Sequence, residues 1–426
     1  MRARQSAIAL VSLFVVGGCD LTVSNPGPVR DGALDDPGSH PALITGMTMQ
    51  LSRALTLVSF VGADAAKEYT QGGRGHPIKL PVAPGQLTVD GIADLHWNAA
   101  QQARWLAEDG IRRLREQLDD DFNSSMIAAH ALLHAGFANR LLAENVCEGV
   151  IDGGPVQSHD VYLQRAEGHF TGALTIAFEA GADIELAARA GRASVRLLQG
   201  RYEAAAADAG LVPDDYSFQA LYSVEREELY NFVYYISSNA PWRAHSVVDT
   251  YYEDYYDRTG DPRVSWARDP ATPQAEFAAV PWLYQTKYTA RNASVNLSSG
   301  REMRLIEAES ALQRGDGQGA MSLINELRTS ITSDHTGQPL PPLAAADLED
   351  AWTHLKRERG IELWLEGRRM GDLRRWITDA TPGAMEDVSD RVRLCIPIPE
   401  GERRTNENID FGHKDPKNPL YTGDLQ

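Results

Sequence analysis

Cysteine is scarce in this chain, with three in 426 residues. So sparse a set excludes a small disulfide-knotted fold, and no Cys/His spacing matches a zinc site. The eleven histidines are scattered without an H-E-x-x-H pair, so no metal is expected. Phosphate-binding glycine loops, dinucleotide fingerprints and the G-x-S-x-G elbow are missing too, and no cofactor is implied. The run Asp119-Asp120-Asp121 lacks the alternating spacing and central glycine of a calcium loop. Basic charge is also in deficit. Forty-one Lys and Arg stand against 59 Asp and Glu, a formal charge of −18. Such a surface repels phosphate backbones and anionic lipid headgroups, which argues against nucleic acid as a partner. After residue 19 no stretch approaches eighteen consecutive apolar residues, so no later segment is expected to span a membrane.

What is present at the start is a signal of a different kind. Arg2 and Arg4 form a short basic region, an apolar run follows from Ala7 to Val16, and then comes Val16-Gly17-Gly18-Cys19. The run is too short for a mature span across about 30 Å of hydrocarbon and has the pattern of a cleaved leader. Gly17 and Gly18 fit a narrow cleavage pocket, and Cys19 supplies a thiol for a lipid. Residues 1–18 are therefore expected as a lipoprotein signal peptide and Cys19 as the lipid attachment, the only tie to the membrane. Cys147 and Cys395 remain; they lie in segments that read as unrelated, a helix end and a short strand, so pairing and two buried thiols both stay open. The sequons at Asn123, Asn292 and Asn296 are chance matches in a bacterial lipoprotein.

Residues 19–40, rich in Pro, Gly and Asp, suit an extended tether. From residue 41 to 426 the pattern is that of a single, mostly α-helical domain. Apolar residues recur at three- and four-residue intervals over about 41–62, 90–118 and 125–146. Segments 161–210 and 303–328 read as helical hairpins of tetratricopeptide type. Small residues there allow close approach, with turns at Gly200 and at Gly315 to Gly319. Between them, 211–300 is dense in tyrosine and tryptophan and broken by prolines, which reads as an irregular, loop-rich aromatic insertion.

The C-terminal run Glu358 to Trp376 reads as one helix, with Glu362, Leu363, Glu366, Gly367, Arg369, Asp372 and Leu373 in a recurrent pattern. Pro397-Ile398-Pro399, Glu402 and Asn406 follow it. Upstream stand Asp261-Pro262-Arg263, Lys287-Tyr288, Ile306-Glu307-Ala308-Glu309 and Ile324-Asn325-Glu326-Leu327-Arg328. As a set these resemble the SusD/RagB family of outer-membrane nutrient-binding lipoproteins, from the lipobox to about residue 412. The resemblance implies a SusD-like fold at the outer membrane facing the exterior. It also implies a SusC-like TonB-dependent transporter as partner and an oligosaccharide or other bulky nutrient as ligand. The family's ligand-contacting aromatics belong to no shared motif, so no binding residue carries over.

Glu358, Glu362 and Glu366 at i, i+4 spacing invite a catalytic reading, but Arg357, Arg359, Arg368 and Arg369 lie close enough to neutralise them. The residues Glu362, Glu366, Arg369 and Asp372 are read as a structural ion-pair helix. A glycoside hydrolase needs two carboxylates about 5 Å or 6.5–9.5 Å apart, and 59 acidic residues offer no selection. Sugars present flat C–H faces rimmed by hydroxyls, so a binder needs aromatic platforms with a few polar groups. Trp242, Tyr252, Tyr256, Trp266 and Trp282 are the ligand-binding candidates on that ground. The expected function is nutrient capture without catalysis. The alternatives are a helical-repeat scaffold binding only protein, or a surface glycoside hydrolase.

Overall fold

The computed structural model of the protein describes residues 31–73, 84–89, 91–180, 182–239, 242–276 and 280–423. The leader, Cys19 and the first part of the tether lie outside the described residues. The three helices read from apolar spacing are present as α1 (His40–Ala65), α2 (Gly91–Leu118) and α3 (Met126–Asn145). From Leu51 onward α1 is buried almost all round, including Ser52, Thr56, Ser59 and Asp64. It packs on α2 and α3 and serves as the central post, which explains a hydrophobic pattern wider than a one-sided stripe. The end of the expected tether departs from extended chain. Asp31–Asp35 and Pro37–Ser39 form 3-10 turns, because Arg113 of α2 draws in Asp31 at 2.6 Å and Asp35 at 2.8 Å.

The hairpin region follows as α4 (Asp160–Ala180), α5 (Ala182–Leu198) and α6 (Tyr202–Ala209), each packed on the next. Close approach has an identifiable cause. The Phe170 ring lies between α3 and α5, where a Cβ on Gly136 or Gly191 would stand 2.6 or 2.3 Å from it. The second hairpin is α9 (Gly300–Gln313) with α10 (Gly317–Thr329), turned at Gly315 (φ +80°), and α9 also seats against α6. Tetratricopeptide-like hairpins are thus the body of the fold, each burying its apolar face on its neighbours.

The expected single helix over 358–376 is two helices. α11 (Leu348–Glu362) ends, residues 363–368 turn, and α12 (Arg369–Thr378) begins. The break occurs because Leu365 (φ +61°) and Gly367 (φ +73°) adopt left-handed backbone. That conformation suits glycine and strains leucine. Glu366 therefore lies in the turn rather than one helical turn beyond Glu362.

The segment 211–300 is not featureless. It holds α7 (Phe232–Ser237), α8 (Tyr251–Thr259) and most of the short strands. In chain order the strands are β1 (Thr70–Gln71), β2 (Glu148–Gly149), β3 (Gln157–Ser158), β4 (Ser217–Ala220), β5 (His245–Ser246), β6 (Trp266–Arg268), β7 (Leu283–Gln285) and β8 (Val295–Ser299). They pair antiparallel as β1-β5, β2-β3, β4-β8 and β6-β7. A short C-terminal helix, α13 (Glu400–Thr405), packs on α2. Cys147 and Cys395, from segments read as unrelated, are joined by a disulfide with Cα atoms 4.9 Å apart. A parallel bridge between Val146 and Ile396 sets them side by side. No helix among the described residues is long and apolar enough to cross a membrane.

Candidate ligand cleft and the charged network beneath it

Strand alternation shapes one concavity in the aromatic region. In β7 and the residue before it, Trp282 and Tyr284 alternate with Leu283, so both rings fall on one side. They lie 4.7 Å apart at 37°. With Tyr234 of α7, Asp269, Gln285, Tyr288 and neighbouring Ser and Thr hydroxyls they line a cavity of about 330 Å³. Its floor is fixed by hydrogen bonds. Trp282 Nε1 donates to Ser237 O at 2.9 Å. The Gln285 amide donates to Ser238 Oγ (2.9 Å) and to Tyr288 O (3.0 Å), while Tyr288 N donates back to Gln285 Oε1 (2.8 Å). Burial raises the Tyr288 hydroxyl well above the ordinary tyrosine range. It stays neutral, a donor and acceptor beside the cavity. Asp269 is the one carboxylate among the described lining residues.

Of the five aromatic candidates, Trp282 alone is on the lining of this cleft, and it is itself buried, 4% exposed, against Tyr284. Tyr256 and Trp266 form a separate group with His335, their rings 6.2 and 5.1 Å from that of Tyr256, and Tyr256 Oη donates to Asp334 at 3.1 Å. Trp242 packs edge-on against Tyr235 at 6.4 Å. Tyr252 is a correction: it is 1% exposed and stacks on Trp364 at 5.4 Å. It belongs to the core, because α8 turns that side inward. Tyr234, Tyr284 and Tyr288 were legible only as part of a tyrosine-rich stretch. The period-two spacing of Trp282 and Tyr284 is the signal that singles them out.

Directly under the cleft the chain runs into buried charge. Lys287, between lining residues Thr286 and Tyr288, donates to Trp364 O (2.8 Å) and to Glu366 Oε1 (2.9 Å). Arg263 binds Asp261 (2.7 Å), Glu358 (2.6 Å) and Glu362 (2.9 Å), and Arg301 reaches Glu362 at 3.0 Å. Arg359 and Arg375 hold Asp372 at 3.0 and 3.1 Å, Arg368 bridges Glu144 and Glu302 at 2.7 Å each, and Arg369 pairs with Glu386. Glu362, Glu366, Arg369 and Asp372 are each paired, but in four separate ion-pair groups, and they lie on two helices and a turn rather than on one helix. Burial raises and the arginines lower the Glu362 and Asp372 carboxyls; the arginines prevail, holding Asp372 at about 2. For Glu366 burial prevails over Lys287 and the carboxyl is raised.

Glu68, just past the end of α1, closes the network from below. Its Oε1 accepts from Leu365 N at 2.9 Å, and its carbonyl accepts from Trp364 Nε1 at 3.3 Å. Burial pushes its carboxyl up to about 7, against the Leu365 hydrogen bond and the pull of Arg369 and Lys287. A raised folded-state value means that ionised Glu68 costs stability above pH 7, a cost absent below the unfolded value near 4.5. Glu68→Gln keeps the acceptor and removes the charge. Its unfolding free energy should exceed that of wild type at pH 8 by on the order of 2 kcal/mol, seen as a higher thermal midpoint. The gap should close as pH falls towards 4.5; a gap independent of pH would refute this account.

One cluster could in principle hold a metal ion. Glu148, His413 and Asp415 place ligand atoms within 4.8 Å of one another. Arg403 already pairs with Asp415, and His413 Nε2 bonds Glu148 at 2.5 Å. A guanidinium therefore occupies the place of a cation.

Comparison with known proteins agrees with this architecture. The sequence model of the SusD family matches residues 301–419. A SusD-superfamily protein from Bacteroides vulgatus superposes with TM-score 0.64 at 15% identity, covering 88% of this chain and 98% of its own. A SusD-like carbohydrate-binding protein from the same organism gives 0.59 at 17% identity, over 91% and 99% of the two chains. A laminarin-binding SusD-like protein gives 0.62 at 17%, over 91% and 100%. No protein of curated function matches by sequence.

Proposed function

We propose that this chain, with a SusD-like fold over about nine-tenths of its length and a C-terminal part that matches the SusD family, captures an oligosaccharide and passes it to a SusC-like TonB-dependent transporter. The cleft lined by Tyr234 and Tyr284, with Trp282 buried at 4% exposure against Tyr284, carries the reading. It offers the half-buried rings of Tyr234 and Tyr284, with the Asp269 carboxylate and the Thr286 and Thr289 hydroxyls around them, the mixture a sugar ring needs. A laminarin-binding protein of the same fold supports an oligosaccharide as the class of ligand. Lipid on Cys19 would hold the protein at the outer membrane, facing outward, since the acidic surface gives no other membrane attachment.

Hydrolysis would need a second carboxylate opposite the first, and Asp269 has no such companion among the described lining residues. We therefore assign binding without chemistry. The test is titration of neutral oligosaccharides, laminarin fragments among them, into protein beginning at residue 20. At least one should bind without product. Tyr284→Ala should weaken it about tenfold or more with an unchanged melting point. Salt should matter little, because neutral sugars release no counterions. Product formation would establish the hydrolase, and silence across the panel would favour the protein-binding scaffold.

A further inference from the structure

Away from that cleft, α2 carries a tryptophan that the fold does not use. Trp105 is 52% exposed, whereas Trp97, two helical turns earlier, is 1% exposed in the core. Asn98, Gln101, Gln102 and Trp105 recur at helical spacing on one face. With Arg104, the turn at Val150 to Gly153, and Glu402 of α13 they line a cavity of about 230 Å³. None of these residues lines the cleft described above.

The walls are held in place from behind. Arg104, 3% exposed, donates Nε to Gln101 Oε1 (3.1 Å), Nη1 to Glu108 (2.9 Å) and Nη2 to Asp152 Oδ1 (2.7 Å). Gln101 Nε2 in turn donates to Tyr162 Oη at 2.7 Å. The turn is stapled from the C-terminal segment, Asn406 and Asn408 donating to Gly154 O (3.0 Å) and Gly153 O (2.8 Å). Among the described residues the Asn98 amide has no partner, and the Asp152 carboxylate is engaged through Oδ1 alone, so both keep hydrogen-bonding capacity for a ligand. A protein-docking hot spot is ringed by further apolar surface; here Trp105 and Val150 are the only apolar side chains on the lining. One aromatic platform, a free amide and the carboxylates of Asp152 and Glu402 instead match a pyranose ring, whose C–H face stacks while vicinal hydroxyls bond the amide and the carboxylates. The volume lies below that of a whole drug-sized site and suits one ring.

We infer that the Trp105 cavity is a second, independent saccharide subsite for a single neutral hexopyranose ring. The full folded chain labelled with 5-fluorotryptophan gives one fluorine signal per tryptophan, assigned by Trp→Phe variants. Titration with methyl glucoside, galactoside and mannoside should move the Trp105 signal saturably for at least one of them. Asn98→Ala, an exposed helix position, should weaken that response about fivefold. The Trp282 signal reports the first cleft separately, so the two sites succeed or fail independently. A Trp105 signal unmoved by all three sugars overturns the inference whatever Trp282 does. A signal that shifts equally in Asn98→Ala, or moves only when a transporter protein is added, overturns it as well.

Discussion

Replacing Arg263 with alanine should cost about 3–5 kcal/mol and lower the thermal midpoint by many degrees. One guanidinium separates Asp261, Glu358 and Glu362, whose side chains are 0, 1 and 9% exposed. Truncation leaves three carboxylates facing one another in a poorly hydrated interior, where breaking one side of a buried pair costs more than the pair contributes when whole. The loss should be larger at pH 8 than at pH 4, because protonation relieves the repulsion. Arg263→Lys keeps the charge but not the fork, and should recover part of the loss. Calorimetric scans of the three proteins at both pH values decide the matter. A midpoint for Arg263→Ala within a degree or two of wild type would show that the network is not holding the insertion to the hairpins.

The second large effect concerns the disulfide. Cys147 and Cys395 are 248 residues apart in sequence, so the bond restricts most of the unfolded chain. Cys147→Ser should cost about 2–5 kcal/mol on that ground. Reductant should lower the wild-type midpoint to about that of the variant and leave the variant unchanged. A variant that melts with oxidised wild type would mean that the Val146–Ile396 bridge and its surroundings suffice. This contact was illegible beforehand for a physical reason. Helix periodicity reports which face a segment buries but not which distant segment meets it, and neither cysteine carries a spacing signature.

Where local pattern governs structure the sequence was readable almost to the residue. The periods of α1, α2 and α3 and the hairpin turns follow from apolar spacing and small residues. The break at 363–368 was missed because Leu365 is a good helix former. Its left-handed backbone is imposed by tertiary partners, namely the Glu68 carboxylate on its amide and the lysine from the insertion on the carbonyl before it. The charged residues were read as paired within their own helix, yet the partners Arg263, Lys287 and Arg301 come from other segments that helix spacing cannot reveal. Aromatic density located the region of the cleft but not its lining. Tyr252 and Trp282 look alike in composition and are both buried, and only Trp282 lies along the wall of the cavity.

The alternation around β7 separates two duties along a few residues. Lys287 reaches down into the charged network, while Trp282 and Tyr284, on the strand just before it, present rings to the cavity. A change at half-buried Tyr284 leaves the anchoring lysine and Arg263 untouched, so the cavity wall can vary while the seat beneath it stays fixed. Such an arrangement confines alteration of the cavity wall to positions outside the ion pairs that hold the insertion to the hairpins.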